Sequence, residues 1–233
     1  HRGDATQAAA VMAWPTSGGY ADVRDSRVLE VLASIFNDRL FDRLRSEQGS
    51  SYSPMVQSFW PTGFEKNGGY LMALSLVANQ DVAPFYDIVD DIAADLVAQP
   101  VSDDELNRHL APLREQLMRA STGNAFWQYM LRGATQDARV VQSTLSIEAD
   151  YGSISAADIQ RLAARYLPAK AAWKLAVLPQ GMTMDQVEAA GQAARAARPA
   201  PSAAAPIPTA PLPLPLPAAP KAIPMGSPLP VQR

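Results

Sequence analysis

The 233-residue chain offers few side chains that could do chemistry. It has no cysteine, which excludes disulfides, thiol catalysis and thiolate metal sites. Its two histidines are His1, at the very start, and His109, amid leucines, and neither has a second histidine or a suitably spaced carboxylate beside it. H-x-x-E-H and H-E-x-x-H are both absent, so a zinc-hydrolase site cannot be assembled locally. His109 reads as a partly exposed helical residue. "SGGY" and "NGGY" lack the surroundings of a phosphate loop and read as turn glycines. Asp90-Asp91 and Asp103-Asp104-Glu105 read as helix surface and first-turn charge. What remains is "RLRSEQGSSYS", residues 43–53, where Arg45 and Tyr52 stand seven positions apart across a break between a helix and a strand. A guanidinium presents five fixed donors and can hold carbonyl oxygens. A phenol can donate to a developing oxyanion. Equally, Arg45 reads as a solvated cation at a helix end and Tyr52 as a strand residue packing its ring.

The elements that would position these two residues follow from changes of period. "TQAAAVMAW" is a compact apolar run closed by "PTSGGY", a buried strand and its turn. Asp22 then offers an N-cap to a long helix with Val28, Leu32, Ile35, Phe36, Leu40 and Leu44 at helical spacing and Gly49 as its stop. "YSPMVQSFW" and "GYLMALSLVA" form a hairpin across a Gly- and Pro-marked loop. Pro84 suits the first turn of a helix bearing Phe85, Ile88, Val89, Ile92 and Leu96. Ser102 and Glu105 form a capping-box signature before Leu106, Leu110, Leu113 and Leu117, with a kink expected at Pro112. "NAFWQYML" is a short helix, Ser155 and Asp158 cap another that carries Ile159, Leu162 and Tyr166, and "WKLAVLP" is a closing strand. This order predicts an α+β fold, a mostly antiparallel sheet with helices packed on one face.

Composition bounds the rest. At 48% apolar and 18% charged the chain can bury a sizeable core. A net charge of -3 and a pI near 5.4 give no basic surface for nucleic acid. No segment approaches the roughly 20 apolar residues of a membrane span. Lack of cysteine fits a periplasm or a reducing cytosol, and the periplasm is the expectation. From Pro199 onward 12 of 35 residues are proline, which predicts an extended segment without a core. The expected division is a folded domain over residues 1–180, a terminal helix or linker over 181–198 and a Pro-rich tail over 199–233.

"FNDRLFDRLRSEQGSSYSPMV" resembles the C-terminal, non-metal half of pitrilysin/insulinase-family zinc metallopeptidases (inverzincins), where a long helix ends in a Leu-Arg-x-x-x-x-Gly-x-x-Tyr-like sequence. "QAAAVMAWPT", "GGYLMALSLVAN" and "SISAADIQRLAARYLP" with "AAWKLAVLP" are similar to the strands and closing helix of the same LuxS/metallohydrolase-like repeat domain. The resemblance implies the substrate-binding C-terminal domain of a zinc metalloendopeptidase, inactive alone. Zn2+ is expected in an N-terminal partner half, fused or separate, with none bound by this chain. Arg45 would bond the peptide backbone, and Tyr52 would place its phenol at the scissile carbonyl. The first strand of a complete repeat is not evident before His1, which implies a piece of a longer protein. The alternative within the family is a non-catalytic structural subunit.

Overall fold

The computed structural model describes residues 1–48, 53–62 and 67–197. Strand β1 (Gln7–Ser17) leads into helix α1 (Val23–Gln48), and strands β2 (Met55–Phe59) and β3 (Asn67–Ala78) follow. Helices α2 (Val82–Ala98), α3 (Asp103–Ser121), α4 (Asn124–Met130), α5 (Arg139–Leu145), α6 (Ile147–Ser153) and α7 (Ala156–Tyr166) precede strand β4 (Trp173–Val177) and helix α8 (Met184–Ala197). The four strands form one antiparallel sheet in the order β2-β3-β1-β4, so the expected α+β class is observed. The described residues form one compact unit.

Strict alternation fixes which side of the sheet is inside. Ala8, Ala10, Met12 and Trp14 of β1 and Leu71, Ala73 and Val77 of β3 are buried beneath the helices, while the residues between them face the other way. The strand of "TQAAAVMAW" runs past its expected end through Pro15 to Ser17. β1 is central, and proline is normally excluded there. Its pairing with β4 stops at Ala13, so at Pro15 the strand has a neighbour on one side only, as an edge strand does.

Helix α1 buries the apolar face expected of it: Val28, Leu32, Ile35, Phe36, Leu40 and Leu44 are all at most 1% exposed. Polar clamps hold it along its length. At its start Arg24 bonds Asp158 at 3.0 Å, Asp25 accepts from Arg161 at 2.9 Å, and Arg27 reaches Asp150 and the Ser146 hydroxyl. In its middle Arg39 grips Glu105 through two bonds of 2.8 Å. Beside it, the Asn37 Oδ1 accepts the Val56 N–H of β2 at 2.9 Å.

The Arg39 pairing also explains a departure from the expected capping box on α3. The Ser102 hydroxyl accepts from the Glu105 N–H at 3.2 Å, but the Glu105 carboxylate goes to Arg39 instead of back to the cap. At α7 both halves of the box form between Ser155 and Asp158. Helix α3 continues past Pro112 to Ser121. Two seven-residue helices, α5 and α6, lie in a stretch too short-turned to show a period in the sequence. Asp90 pairs with Lys174 at 2.7 Å and Asp91 with Arg43 at 3.4 Å, surface roles as expected.

Candidate functional site

Arg45 lies in the last turn of α1, with its side chain exposed. The burial of Leu40 and Leu44 sets this orientation, since the next position turns away from the core. Beyond Gln48 the expected stop at Gly49 and the second site residue, Tyr52, fall outside the described residues. The chain returns at Ser53 and enters β2, which Asn37 of α1 holds against the helix. Arg45 therefore stands on a helix whose preceding turn is buried at Leu44 and which β2 contacts through Asn37. Two surface recesses lie elsewhere. One of about 770 Å³ is lined by Ser102, Asp104, Asn107 and Arg108, and one of about 420 Å³ lies at the start of α1 beside Tyr20 and Arg139.

His109 is the partly exposed helical residue expected, with most of its side chain turned inward. Its side chain is 9% exposed, with Nδ1 2.8 Å from the Ser34 hydroxyl and Nε2 3.5 Å from the Asp38 carboxylate. Burial first of all pushes its pKa below the ordinary value, against the pull of Asp38, while desolvation pushes the Asp38 carboxyl up. Serine, histidine and aspartate thus meet between α1 and α3. Ser34 and Asp38 share a helix face one turn apart, a spacing visible in the sequence; that α3 packs there is not. The cluster lacks what acyl transfer requires, because its hydroxyl sits inside a helix whose neighbouring N–H groups are committed to the helix and supply no oxyanion hole. Its chemistry is that of a polar contact between helices.

Nor do these residues fit zinc. A zinc site needs three or four converging N or O ligands, and His109 has one carboxylate and a hydroxyl. Among the described residues no three His, Asp or Glu side chains converge, and no helix is long and apolar enough to cross a membrane.

Residues 1–113 match the family model described as the Peptidase M16 inactive domain. No curated protein gives a significant match to the sequence. Among solved structures, the inactive peptidase domain of a candidate zinc protease from Bordetella parapertussis is 16% identical, with a TM-score of 0.63 over 77% of this chain and 97% of that one. The ferredoxin protease FusC, in complex with Arabidopsis ferredoxin, is 12% identical, with a TM-score of 0.63 over 75% of this chain and 19% of that one. The periplasmic protease PqqL from Escherichia coli is 12% identical, with a TM-score of 0.60 over 77% of this chain and 20% of that one. The chain thus spans about a fifth of the length of these two proteases and nearly the whole of the single domain. Residues 1–113 thus match the inactive domain of the M16 peptidases, the pitrilysin/insulinase family that the Arg45 segment resembles, and the sheet with helices on one face shares the fold of the solved inactive domain.

Proposed function

We propose that this chain is the substrate-contacting part of a zinc metalloendopeptidase and works only with an N-terminal zinc-bearing half, fused or separate. The carrying observation is the family match over residues 1–113, which contains both Arg45 and Tyr52. In this reading residues 1–180 contact substrate, 181–198 close the domain and 199–233 are a tail. Arg45 donates to backbone carbonyls of an extended peptide through its fixed fork of N–H groups. Tyr52 donates from its phenol to the scissile carbonyl oxygen, and one such donor is worth about 3 kcal/mol in the transition state. The metal chemistry belongs to the partner half. The periplasm is the proposed location, supported by the absence of cysteine and by the likeness to a periplasmic protease.

The test is hydrolysis of an unstructured peptide by the assembled enzyme. Tyr52→Phe is expected to lower kcat about 100-fold, and Arg45→Ala to raise KM with a smaller change in kcat. Unchanged kcat/KM in both variants would remove the assigned roles. It would favour the second reading, a structural subunit of the same family, which the exposed apolar residues Leu76, Trp173 and Leu175 on the outer face of the sheet also support.

A further inference from the structure

The chain has five asparagines, and four of them precede a residue with a side chain: Asp38, Gln80, Arg108 and Ala125. Asn67 alone precedes a glycine. The distinction is chemical. The backbone nitrogen that follows an asparagine can attack that residue's own carboxamide carbon, and a side chain on the attacking residue hinders the approach, whereas glycine has no Cβ to do so. Regular secondary structure suppresses the same step, because a nitrogen committed to a helix or a ladder is held away from the side chain behind it. Asn37 and Asn107 lie inside α1 and α3 and are guarded in this way. Asn79 is pinned through its own side chain, whose Nδ2 donates to the Ala5 carbonyl oxygen at 2.8 Å.

Asn67 begins β3, where a regular ladder would guard it as well. The register slips at this point. Ser17 pairs with Asn67 and Thr16 with Gly69, so Gly68 is an extra residue with no partner across the strands. Gly68 is exposed, its φ is 96°, and nothing lies within 4 Å of where its Cβ would be. The bulge therefore sets beside an asparagine a nitrogen whose residue is unpaired, unhindered and of the type whose backbone turns most freely. Gly69 is in the opposite situation. A Cβ there would lie 2.3 Å from the Ser17 carbonyl oxygen, 2.5 Å from the Thr16 hydroxyl and 2.7 Å from the Phe59 carbonyl oxygen, so its backbone is wedged between β1 and β2.

We infer that Asn67 is a site of spontaneous deamidation whose isoaspartyl product unseats the start of β3. The Gly68 nitrogen loses its proton to base and bonds to the Asn67 carboxamide carbon; the C–NH2 bond breaks, and the nitrogen leaves as ammonia. Water then opens the cyclic imide at either carbonyl, so that one water is consumed for each ammonia released and nothing is oxidised or reduced. One product is aspartate on an unaltered backbone. The other is isoaspartate, whose backbone runs through the former side chain and is one methylene longer. Both add a negative charge, but only the longer one pushes on Gly68 and Gly69, and Gly69 has no room to shift. The junction of three strands opens there, where the Phe59 and Tyr70 rings meet at 5.4 Å, while the centre of the sheet stays paired.

The full chain, kept at mildly alkaline pH beside the free peptide of residues 65–71, tests this by peptide mapping with enzymatic methyl labelling of isoaspartate. Label is expected at position 67 and at no other asparagine, at a rate within about tenfold of the peptide's, as for a segment whose local opening costs almost nothing. A rate slower than the peptide's by about a hundredfold or more, or earlier label at another asparagine, overturns the inference. Hydrogen exchange of the separated isoaspartyl form is expected to be at least about tenfold faster at Thr16 and Tyr70, with Ala10 and Met12 as in the fresh chain. Asn67→Asp, which carries the same charge on an unaltered backbone, is expected to leave all four as they were. Equal loosening by Asn67→Asp, or none in the isoaspartyl form, overturns the role given to the longer backbone.

Discussion

His109 is neutral in the fold because burial disfavours its charged form more than Asp38 restores it. With its pKa pushed below 6.5, the folded chain binds fewer protons than the unfolded one in that window. Its contribution is fully present above pH 6.5 and is lost as pH falls from there through the lowered value. Asp38, pushed up, acts oppositely in the window just above 3.8. The flanking charges are Asp42 and Arg39 on α1 and Glu105 and Arg108 on α3. Melting temperatures between pH 7.5 and 5.0 are expected to fall less steeply for His109→Gln than for the native chain; parallel slopes would show that other groups govern the acid limb. Two glycines of "NGGY" make a second point at this scale. Both read as turn glycines, and Gly68 has the left-handed φ of 96° that suits one. Gly69 serves a different need: a Cβ there would lie 2.3 Å from the Ser17 carbonyl oxygen and 2.7 Å from that of Phe59. Gly69→Ala is expected to cost more than about 2 kcal/mol in denaturant unfolding, because backbone on both sides must give way. The sequence marks the glycine; only the approach of three strands says why no other residue fits.

At the scale of elements, legibility followed the length and regularity of the apolar period. Helix α1 shows its core face over 26 residues, and α7 announces itself by a cap that is then made in full. Helices α5 and α6 are two turns each, too short for a period to repeat. The fate of Glu105 was hidden for another reason: its competing partner, Arg39, is 66 residues away. This half-buried, two-pronged pair joins α1 to α3, and Glu105→Gln is expected to cost about 2 kcal/mol. A double-mutant cycle with Arg39→Met should return most of that cost if the pair itself is the cause; strict additivity would refute it. At α7, Asp158 is held far below the usual carboxylate range, chiefly by Arg24, then by its bonds to Ser155. Asp158→Asn is therefore expected to lose about 1 kcal/mol at pH 7, the worth of a helix cap, with the difference shrinking as pH falls below 3.8 and gone only once pH has passed through the lowered value of the native carboxylate. The candidate site belongs to this scale as well. Arg45 is presented by α1, and the spacing to Tyr52 was readable, but no local pattern reveals what faces them.

For the whole molecule, the α+β class was legible because strands and helices alternate in blocks, whereas the place of β4 in the order β2-β3-β1-β4 depends on pairing across most of the chain, as in Val11 with Leu175. The nearly continuous apolar run "GYLMALSLVA" did carry a sign of the open face, since a strand wetted on one side would alternate with polar residues. Helix α8 shows how a terminal element is held. Val187 is buried, and a Cβ on Gly191 would meet the Gln80 carbonyl oxygen at 3.1 Å and Pro84 at 3.6 Å, so α8 lies directly against the start of α2. Gly191→Leu is expected to speed hydrogen exchange in α8 at least tenfold while protection in β1 and β3 stays as it was; equal loss throughout would mean that α8 is part of the global unfolding unit.

The bond from the Val56 N–H to Asn37 has a consequence for polymerisation. A sheet grows sideways when an incoming strand finds a row of vacant donors and acceptors along its border. On the β2 border one of those donors is already taken, by a side chain from the helix beneath. Fibrils built by stacking strand upon strand are therefore obstructed on that side, even though the sheet's flat surface is apolar. Asn37→Ala should vacate the donor and shorten the lag before thioflavin-positive aggregates form in the isolated chain, without enlarging the greasy surface at all.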